Sequence, residues 1–164
     1  MNTRPTLTHL EVERACPEVT VIIPSFNYRD YIEQSLESVF NQTFKNYEVI
    51  VVDDGSKDGS YEFLETQYAA QGRIKLICHE NHRNLGLGKS LELGLSEATG
   101  NWVAILECDD IWEPNCLEHR VAAVHKSASI FFCSNKIRIL KIDEVSDWLD
   151  DYVHRVQSKL SLRQ

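Results

Sequence analysis

The 164-residue sequence is poor in several things, and each shortage excludes a class of protein. Basic residues are outnumbered, 17 Lys and Arg against 25 Asp and Glu, which leaves a formal net charge of −8. Nucleic-acid affinity comes largely from cations that neutralise phosphates, so this balance argues against a broad nucleic-acid-binding face. A small anionic ligand held in one pocket stays compatible with it. No run approaches the roughly 18 apolar residues of a membrane span, and the longest apolar stretches, such as residues 19–23, are strand-sized. The five cysteines (Cys16, Cys78, Cys108, Cys116 and Cys133) are odd in number, form no C-x-x-C pair and have no His at finger spacing. They indicate neither a disulfide framework nor a zinc site, but reduced thiols. The first 18 residues mix charged with apolar positions and contain no signal-peptide core, which together with the thiols predicts a cytoplasmic protein. No repeat or low-complexity tract is present.

What is there is one ordinary domain. Hydrophobic residues make up 43% and charged residues 26%, and a chain of this length buries roughly 70% of its unfolded surface without a metal or disulfide staple. After an irregular leader (1–17), short β-rich runs alternate with helix-length segments of period 3.6. Strands are predicted at 19–23, 48–52, 74–77, 102–106 and 130–133. The first helix is expected over about 31–40, with Asp30 and Glu33 at capping-box spacing and Ile32, Leu36, Val39 and Phe40 on its apolar face. A second carries Tyr61, Leu64 and Tyr68 on one side and stops at Gly72, a left-handed cap. A third starts near Gly88, with Leu87, Leu91, Leu95 and Ala98 as its buried face. A fourth has Pro114 in its first turn and Leu117, Val121 and Val124 inward. From 143 onward, Val145, Trp148, Leu149, Tyr152, Val153, Val156 and Leu160 predict an amphipathic terminal helix, so 136–164 reads as a helical extension of an 18–135 domain.

Strands alternating with helices predict an α/β sandwich around a mainly parallel sheet, whose ligand site lies beyond the carboxyl ends of the strands. That rule selects 24–28, 53–56 and 107–110. Adjacent carboxylates at the end of a buried strand are costly unless something hydrogen-bonds them. Asp53 and Asp54, with Gly55, Ser56, Asp58 and Ser60, suit either of two roles. They build a turn and cap the next helix, or one carboxylate accepts hydrogen bonds from a ligand's imide N–H or ribose hydroxyls. In extended chain Glu107 and Asp109 face the same way, with Cys108 turned elsewhere, so both acids can converge on one ion. Oxygen-only ligands suit Mg²⁺ or Mn²⁺, which complete their shell with water and diphosphate oxygens; the bland alternative is an acidic turn without an ion. The stretch 84–90 contains Gly-Lys-Ser but fails the phosphate-loop pattern, because Arg83 stands where its first Gly belongs, and fails the dinucleotide pattern at Leu91. It remains a glycine-permitted turn into a helix, with Arg83 and Lys89 as candidate diphosphate counter-charges. Lys75, His79 and His82 form no recognisable metal or nucleophile arrangement and read as surface residues.

Taken in order, V-T-V-I-I-P-S-F-N-Y from Val19, V-I-V-V-D-D-G-S-K-D-G-S from Val49, N-L-G-L-G from Asn84 and A-I-L-E-C-D-D from Ala104 resemble the nucleotide-binding half of a family 2 glycosyltransferase, over about residues 18–135. The resemblance implies a GT-A (Rossmann-like) fold, a nucleotide-diphospho-sugar donor, most often a UDP-sugar, and a divalent metal. It implies that Pro24, Ser25, Phe26 and Asn27 lie against the nucleoside, and that one of Asp53 and Asp54 meets the base. Glu107-Cys108-Asp109 occupies the family's Asp-x-Asp motif, the first acid near the ribose and the last on the metal, with Glu107 also within the metal's reach. Glu107 departs from the usual Asp by one methylene, and Leu91 stands where many members have Arg. In the family the sugar is transferred in one inverting displacement, a carboxylate base deprotonating a sugar or lipid-linked acceptor, and members often build surface polysaccharides at the cytoplasmic membrane face.

No residue here matches the family's base motif, and Asp143 and Glu144 have no supporting spacing, so the chain reads as truncated before the acceptor region. Two other functions share part of the pattern. A non-catalytic nucleotide-sugar-binding module would use the same motifs without turnover. A receiver-like signalling domain would make 49–52 its first strand.

Overall fold

A computed structural model of the chain describes residues 16–126. Four strands, β1 (Val19–Ser25), β2 (Tyr47–Asp53), β3 (Lys75–Cys78) and β4 (Trp102–Ile105), form one sheet in the order β3-β2-β1-β4. All three pairings are parallel, and β1 lies in the interior with all seven residues buried. Burial on both faces is why β1 and β2 read as continuous apolar runs rather than alternating ones. A strand precedes β2 and pairs with it along its whole length, which removes the receiver-like arrangement.

Alternation sorts the strand residues into two layers. Val19, Val21, Ile23, Val49 and Val51 face the larger core, together with Ile32, Leu36 and Val39 of α1 (Ile32–Phe40), Leu64 of α2 (Ser60–Leu64) and Leu117 and Val121 of α4 (Cys116–His125). Ile22, Ile50 and Val52 face α3 (Leu87–Glu97), with Leu91 and Leu93 beside them. The α/β sandwich expected from the sequence is present. The fifth strand and the terminal helix lie outside the described residues.

Four local expectations change. Asp30 does not cap α1: the Tyr28 carbonyl accepts both the Tyr31 and Ile32 N–H groups (3.0 Å each), so a turn carries the chain past Asp30 and the helix starts at Ile32 with no side-chain cap. The second helix changes pitch, α2 passing into a π-helical turn at Glu65–Ala69 before Gly72, whose φ of +69° is the expected left-handed stop. The third helix buries Ser90 and Gly94 instead of the leucine stripe, leaving Leu87 and Leu95 about half exposed. The reason is proximity: a Cβ on Gly94 would lie 2.7 Å from Ile22 Cγ2 and 3.2 Å from Val52 Cγ2, so only the smallest residues fit between α3 and the sheet. Pro114 precedes α4, whose cap is Asn115, and its carbonyl accepts the Thr43 N–H (2.7 Å).

Candidate functional site

Ser25, Asp53 and Cys78 are register partners at the carboxyl ends of β1, β2 and β3, so they form a row across the same sheet face. Asp53 is fully buried. Its Oδ1 accepts the Gly55 and Ser56 N–H groups (3.0 Å each), the turn-building role allowed by the sequence. Its Oδ2 has no partner among the described residues, and neither does Ser25 Oγ beside it. Two buried polar atoms left open on neighbouring strand ends are uncommon in a native structure and mark a place where a hydrogen-bonding ligand belongs. Tyr61 and His82 stand next to the row, ring against ring at 4.5 Å and nearly perpendicular, with His82 Nε2 3.9 Å from Cys78 Sγ. Burial, then the Asp53 charge, pushes the Cys78 thiol up, so it is a neutral thiol here.

Asp54 does different work. Its Oδ1 accepts the Leu85 N–H (2.7 Å) and its Oδ2 the Gly86 N–H (2.8 Å), which pins the glycine turn that opens α3. His79, expected at the surface, is buried, its Nε2 3.4 Å from Asp54 Oδ1 and 3.1 Å from Ser90 Oγ. Gly55 completes the junction: its φ is +79°, and a Cβ there would meet the His82 carbonyl oxygen at 2.5 Å. Lys75 is exposed and paired with Glu97, His82 is exposed, and the Lys89 ammonium is paired with Glu92 (2.6 Å).

The loops after β1 and β2 are stitched together. The Asn27 N–H donates to Ser56 Oγ (2.9 Å), Asn27 Oδ1 accepts the Lys57 N–H (2.7 Å), and the Arg29 N–H donates to Asp58 Oδ2 (2.9 Å). Asn27 therefore shapes the loop, at a φ of +58°, while Phe26 is left exposed beside the strand end and Pro24 is buried within β1.

Past β4 the chain does not stay extended. The Asp110 N–H donates to the Glu107 carbonyl (3.0 Å), closing a turn that buries Cys108 and leaves Glu107, Asp109 and Asp110 exposed. The acids thus share an outer side through a turn, not through strand alternation. Partial loss of water around the turn first, and then the charges of Asp109 and Asp110, hold the Glu107 carboxyl above the usual carboxylate range. Asp110 is raised by the same partial desolvation and by Asp109. Burial pushes the Cys108 thiol up to about 12, so it stays protonated. Mutual repulsion of this kind favours a cation. Among the described residues no group of three His, Cys, Asp or Glu side chains is arranged to hold a metal unaided.

Helix α1 builds this turn, a role the sequence reading missed. The Ser35 hydroxyl lies 2.7 Å from the carbonyls of both Cys108 and Asp110, the Trp112 N–H donates to Ser38 Oγ (3.1 Å), and Gln42 Nε2 donates to the Glu113 carbonyl (2.7 Å). Gln42 Oε1 accepts the Leu117 N–H (2.9 Å). The available signal was three polar residues at helical spacing beside the apolar stripe of α1, all of them buried.

A central parallel sheet with its polar groups gathered at the carboxyl ends is an α/β arrangement that offers a ligand site at that edge, and the solved structures similar to it are glycosyltransferases of the GT-A fold. The chain belongs to glycosyl transferase family 2, whose family model matches residues 20–151. It is similar to an uncharacterized glycosyltransferase of Haemophilus influenzae, 37% identical over 125 residues, covering 76% of this chain and 38% of the relative. Among solved structures it resembles Staphylococcus aureus TarS in complex with UDP, at 28% identity and a TM-score of 0.58, over 66% of this chain and 32% of TarS. It also resembles the mannosyltransferase PcManGT of Pyrobaculum calidifontis in complex with GDP-Man and Mn²⁺, at 31% identity and a TM-score of 0.52, over 59% of this chain and 29% of that one. The chain therefore spans well under half the length of these relatives.

Proposed function

We propose that the chain binds a nucleotide-diphospho-sugar, a UDP-sugar in preference, together with Mg²⁺ or Mn²⁺, as the donor side of an inverting sugar transfer to a sugar or lipid-linked acceptor. One observation carries the reading: a buried, open carboxylate oxygen ends β2, and an acidic turn follows β4, on the same sheet edge. With β1 between them, these ends lie about 10 Å apart, twice the ~4.8 Å strand spacing. A nucleoside diphosphate has the polarity for that span, with a hydrogen-bond-donating base at one end and phosphates that bind cations at the other.

Asp53 Oδ2 accepts the imide N–H of the base, with Ser25 Oγ beside it. Pro24, Phe26 and Asn27 form the wall between base and phosphates, and Asp54 holds the turn behind them. Glu107 lies toward the ribose and the metal, and Asp109 is the principal metal ligand. The donor set fits a hard ion: carboxylate oxygens that repel one another, with too few protein ligands for a closed cage, as is usual where diphosphate oxygens complete the shell. When bound, the ion neutralises charge on the departing nucleoside diphosphate. TarS with UDP and PcManGT with GDP-Man and Mn²⁺ support this donor class. The catalytic base is assigned to none of the described residues. We place the reaction in the cytoplasm, with an acceptor at the membrane face.

Calorimetric titration of the chain with UDP, with and without Mn²⁺, tests the reading. Binding is expected to need the cation and to weaken strongly in Asp109→Ala. Metal-independent binding, or no binding of any nucleoside diphosphate, overturns it.

A further inference from the structure

The row of strand ends at Ser25, Asp53 and Cys78 has a third member that no motif singles out. Cys78 is the register partner of Asp53, as Asp53 is of Ser25, so its side chain leaves the same sheet face one strand over, about 4.8 Å away backbone to backbone. Asp53 is fully buried and Ser25 is 2% exposed, yet Asp53 Oδ2 and Ser25 Oγ have no partner among the described residues, so the neighbouring thiol does not close the open carboxylate oxygen. The half-buried thiol has His82 Nε2 at 3.9 Å from Sγ, and the Tyr61 ring braces the His82 ring edge-on at 4.5 Å. A hydroxyl, an open carboxylate oxygen and a thiol thus stand side by side on three adjacent strands.

We propose that Cys78 is a specificity-determining residue: its thiol donates to a ring carbonyl of the base whose imide N–H is accepted by Asp53 Oδ2, and the row so formed selects uracil. This rests on the reading of Asp53 as the acceptor for the base. The carboxylate has one oxygen to offer, because Oδ1 is committed to the Gly55 and Ser56 N–H groups. One acceptor flanked by a hydroxyl donor and a thiol donor matches an edge that reads carbonyl, N–H, carbonyl, which is the edge of uracil. Guanine sets an N–H and an amino group side by side, a pair best met by both oxygens of a carboxylate, and the second is taken by the turn. Cytosine turns a ring-nitrogen lone pair toward Oδ2. His82 Nε2, in the tautomer that carries its proton there, donates to Sγ and leaves the S–H free to face the base. A thiol is a weak donor, but a base carbonyl enclosed at the strand ends without any donor costs more than the bond itself gains. Burial and the Asp53 charge keep the proton on sulfur.

The test measures UDP, GDP and CDP binding by the 164-residue chain in Mn²⁺, for the wild type, Cys78→Val and Cys78→Ser. The wild type is expected to favour UDP over the other two by about tenfold or more. Cys78→Val, close in size but without a donor, should bind UDP about fivefold or more weakly and narrow that preference, and Cys78→Ser, which supplies a donor again, should restore it. A second measurement needs no variant: labelling of Cys78 by N-ethylmaleimide, followed by mass spectrometry of its peptide, should slow by about fivefold or more when UDP and Mn²⁺ saturate the chain. If the wild type binds UDP but Cys78→Val binds it equally well, or if bound UDP leaves the labelling rate of Cys78 unchanged, the proposal fails while the donor-site reading stands. A wild type that binds none of the three nucleotides overturns both.

Discussion

The His79 imidazole and the Asp54 carboxylate lie 3.4 Å apart, Nε2 to Oδ1, both buried, just beyond the ends of adjacent strands. The same carboxylate carries the Leu85 and Gly86 N–H groups, so one side chain joins the end of β2 to the start of α3. Asp54→Asn replaces one accepting oxygen with a donor that faces a backbone N–H. A buried donor left without an acceptor costs about 1–3 kcal/mol. Urea denaturation should show the variant destabilised by that amount, with an unchanged m-value.

Asp53→Asn should behave in the opposite way. Its Oδ1 builds the Gly55–Ser56 turn, which an Asn carbonyl can still do, whereas its Oδ2 is the open atom. The variant is expected to unfold within about 1 kcal/mol of the wild type, since its hydrogen-bonded oxygen is preserved. It should bind UDP in the presence of Mn²⁺ at least about tenfold more weakly, because the new amide meets an imide N–H donor to donor. Calorimetry on the two variants side by side checks the division of roles within the acidic pair.

The fold was legible because β1 and β2, apolar along most of their length, and the intervening helices differ so clearly in period. The three strand-end motifs were legible for a similar reason, since polar clusters directly after buried runs stand out. What could not be read was anything set by distance in space. Ser90 and Gly94 face the sheet because α3 crosses it closely, and the periodicity of Leu87, Leu91 and Leu95 gives no hint of that separation. His79 looked like a surface residue because its partners, Asp54 and Ser90, are 25 positions before it and 11 after it in the sequence. The acidic pair could be located but not divided, because which carboxylate a loop consumes depends on where the glycine turn returns.

The acid turn predicts a stability that depends on pH and reverses with metal. Glu107 and Asp110 are both held above the usual carboxylate range, by partial desolvation and then by neighbouring acids, including Asp109 in each case. Raised folded-state values mean that their contribution is fully present below the ordinary carboxylate pKa and is lost as pH rises through the raised values. Asp109→Asn removes one repelling charge, so in EDTA at pH 7 it should melt about 1–2 °C higher than the wild type, the scale of a surface charge interaction. The difference should vanish below about pH 3.5, where Glu107 and Asp110, both raised above the ordinary carboxylate range, are protonated. Adding Mn²⁺ with UDP at pH 7 should raise the wild-type midpoint and leave the variant unmoved. Thermal scans across pH, with and without the ion, make the comparison.

Ser35 allows the scaffold beneath the metal-side acids to be tested without touching an acid. Its hydroxyl is buried and within 2.7 Å of two carbonyls of the turn, those of Cys108 and Asp110. A hydroxyl has one proton, so Ser35→Ala removes one good hydrogen bond or a shared one, at a cost of about 1 kcal/mol. The larger consequence is geometric. The turn that carries Asp109 loses its tie to α1, and Mn²⁺ affinity in the presence of UDP should fall by about tenfold, as for other supports one step removed from a metal ligand. Ser96→Ala is the control, because that hydroxyl is exposed and donates only to the Leu93 carbonyl within its own helix. It should change neither the unfolding midpoint nor the Mn²⁺ titration. Equal Mn²⁺ affinities for Ser35→Ala and the wild type would mean that the acid turn holds its shape through Ser38 and Gln42 alone.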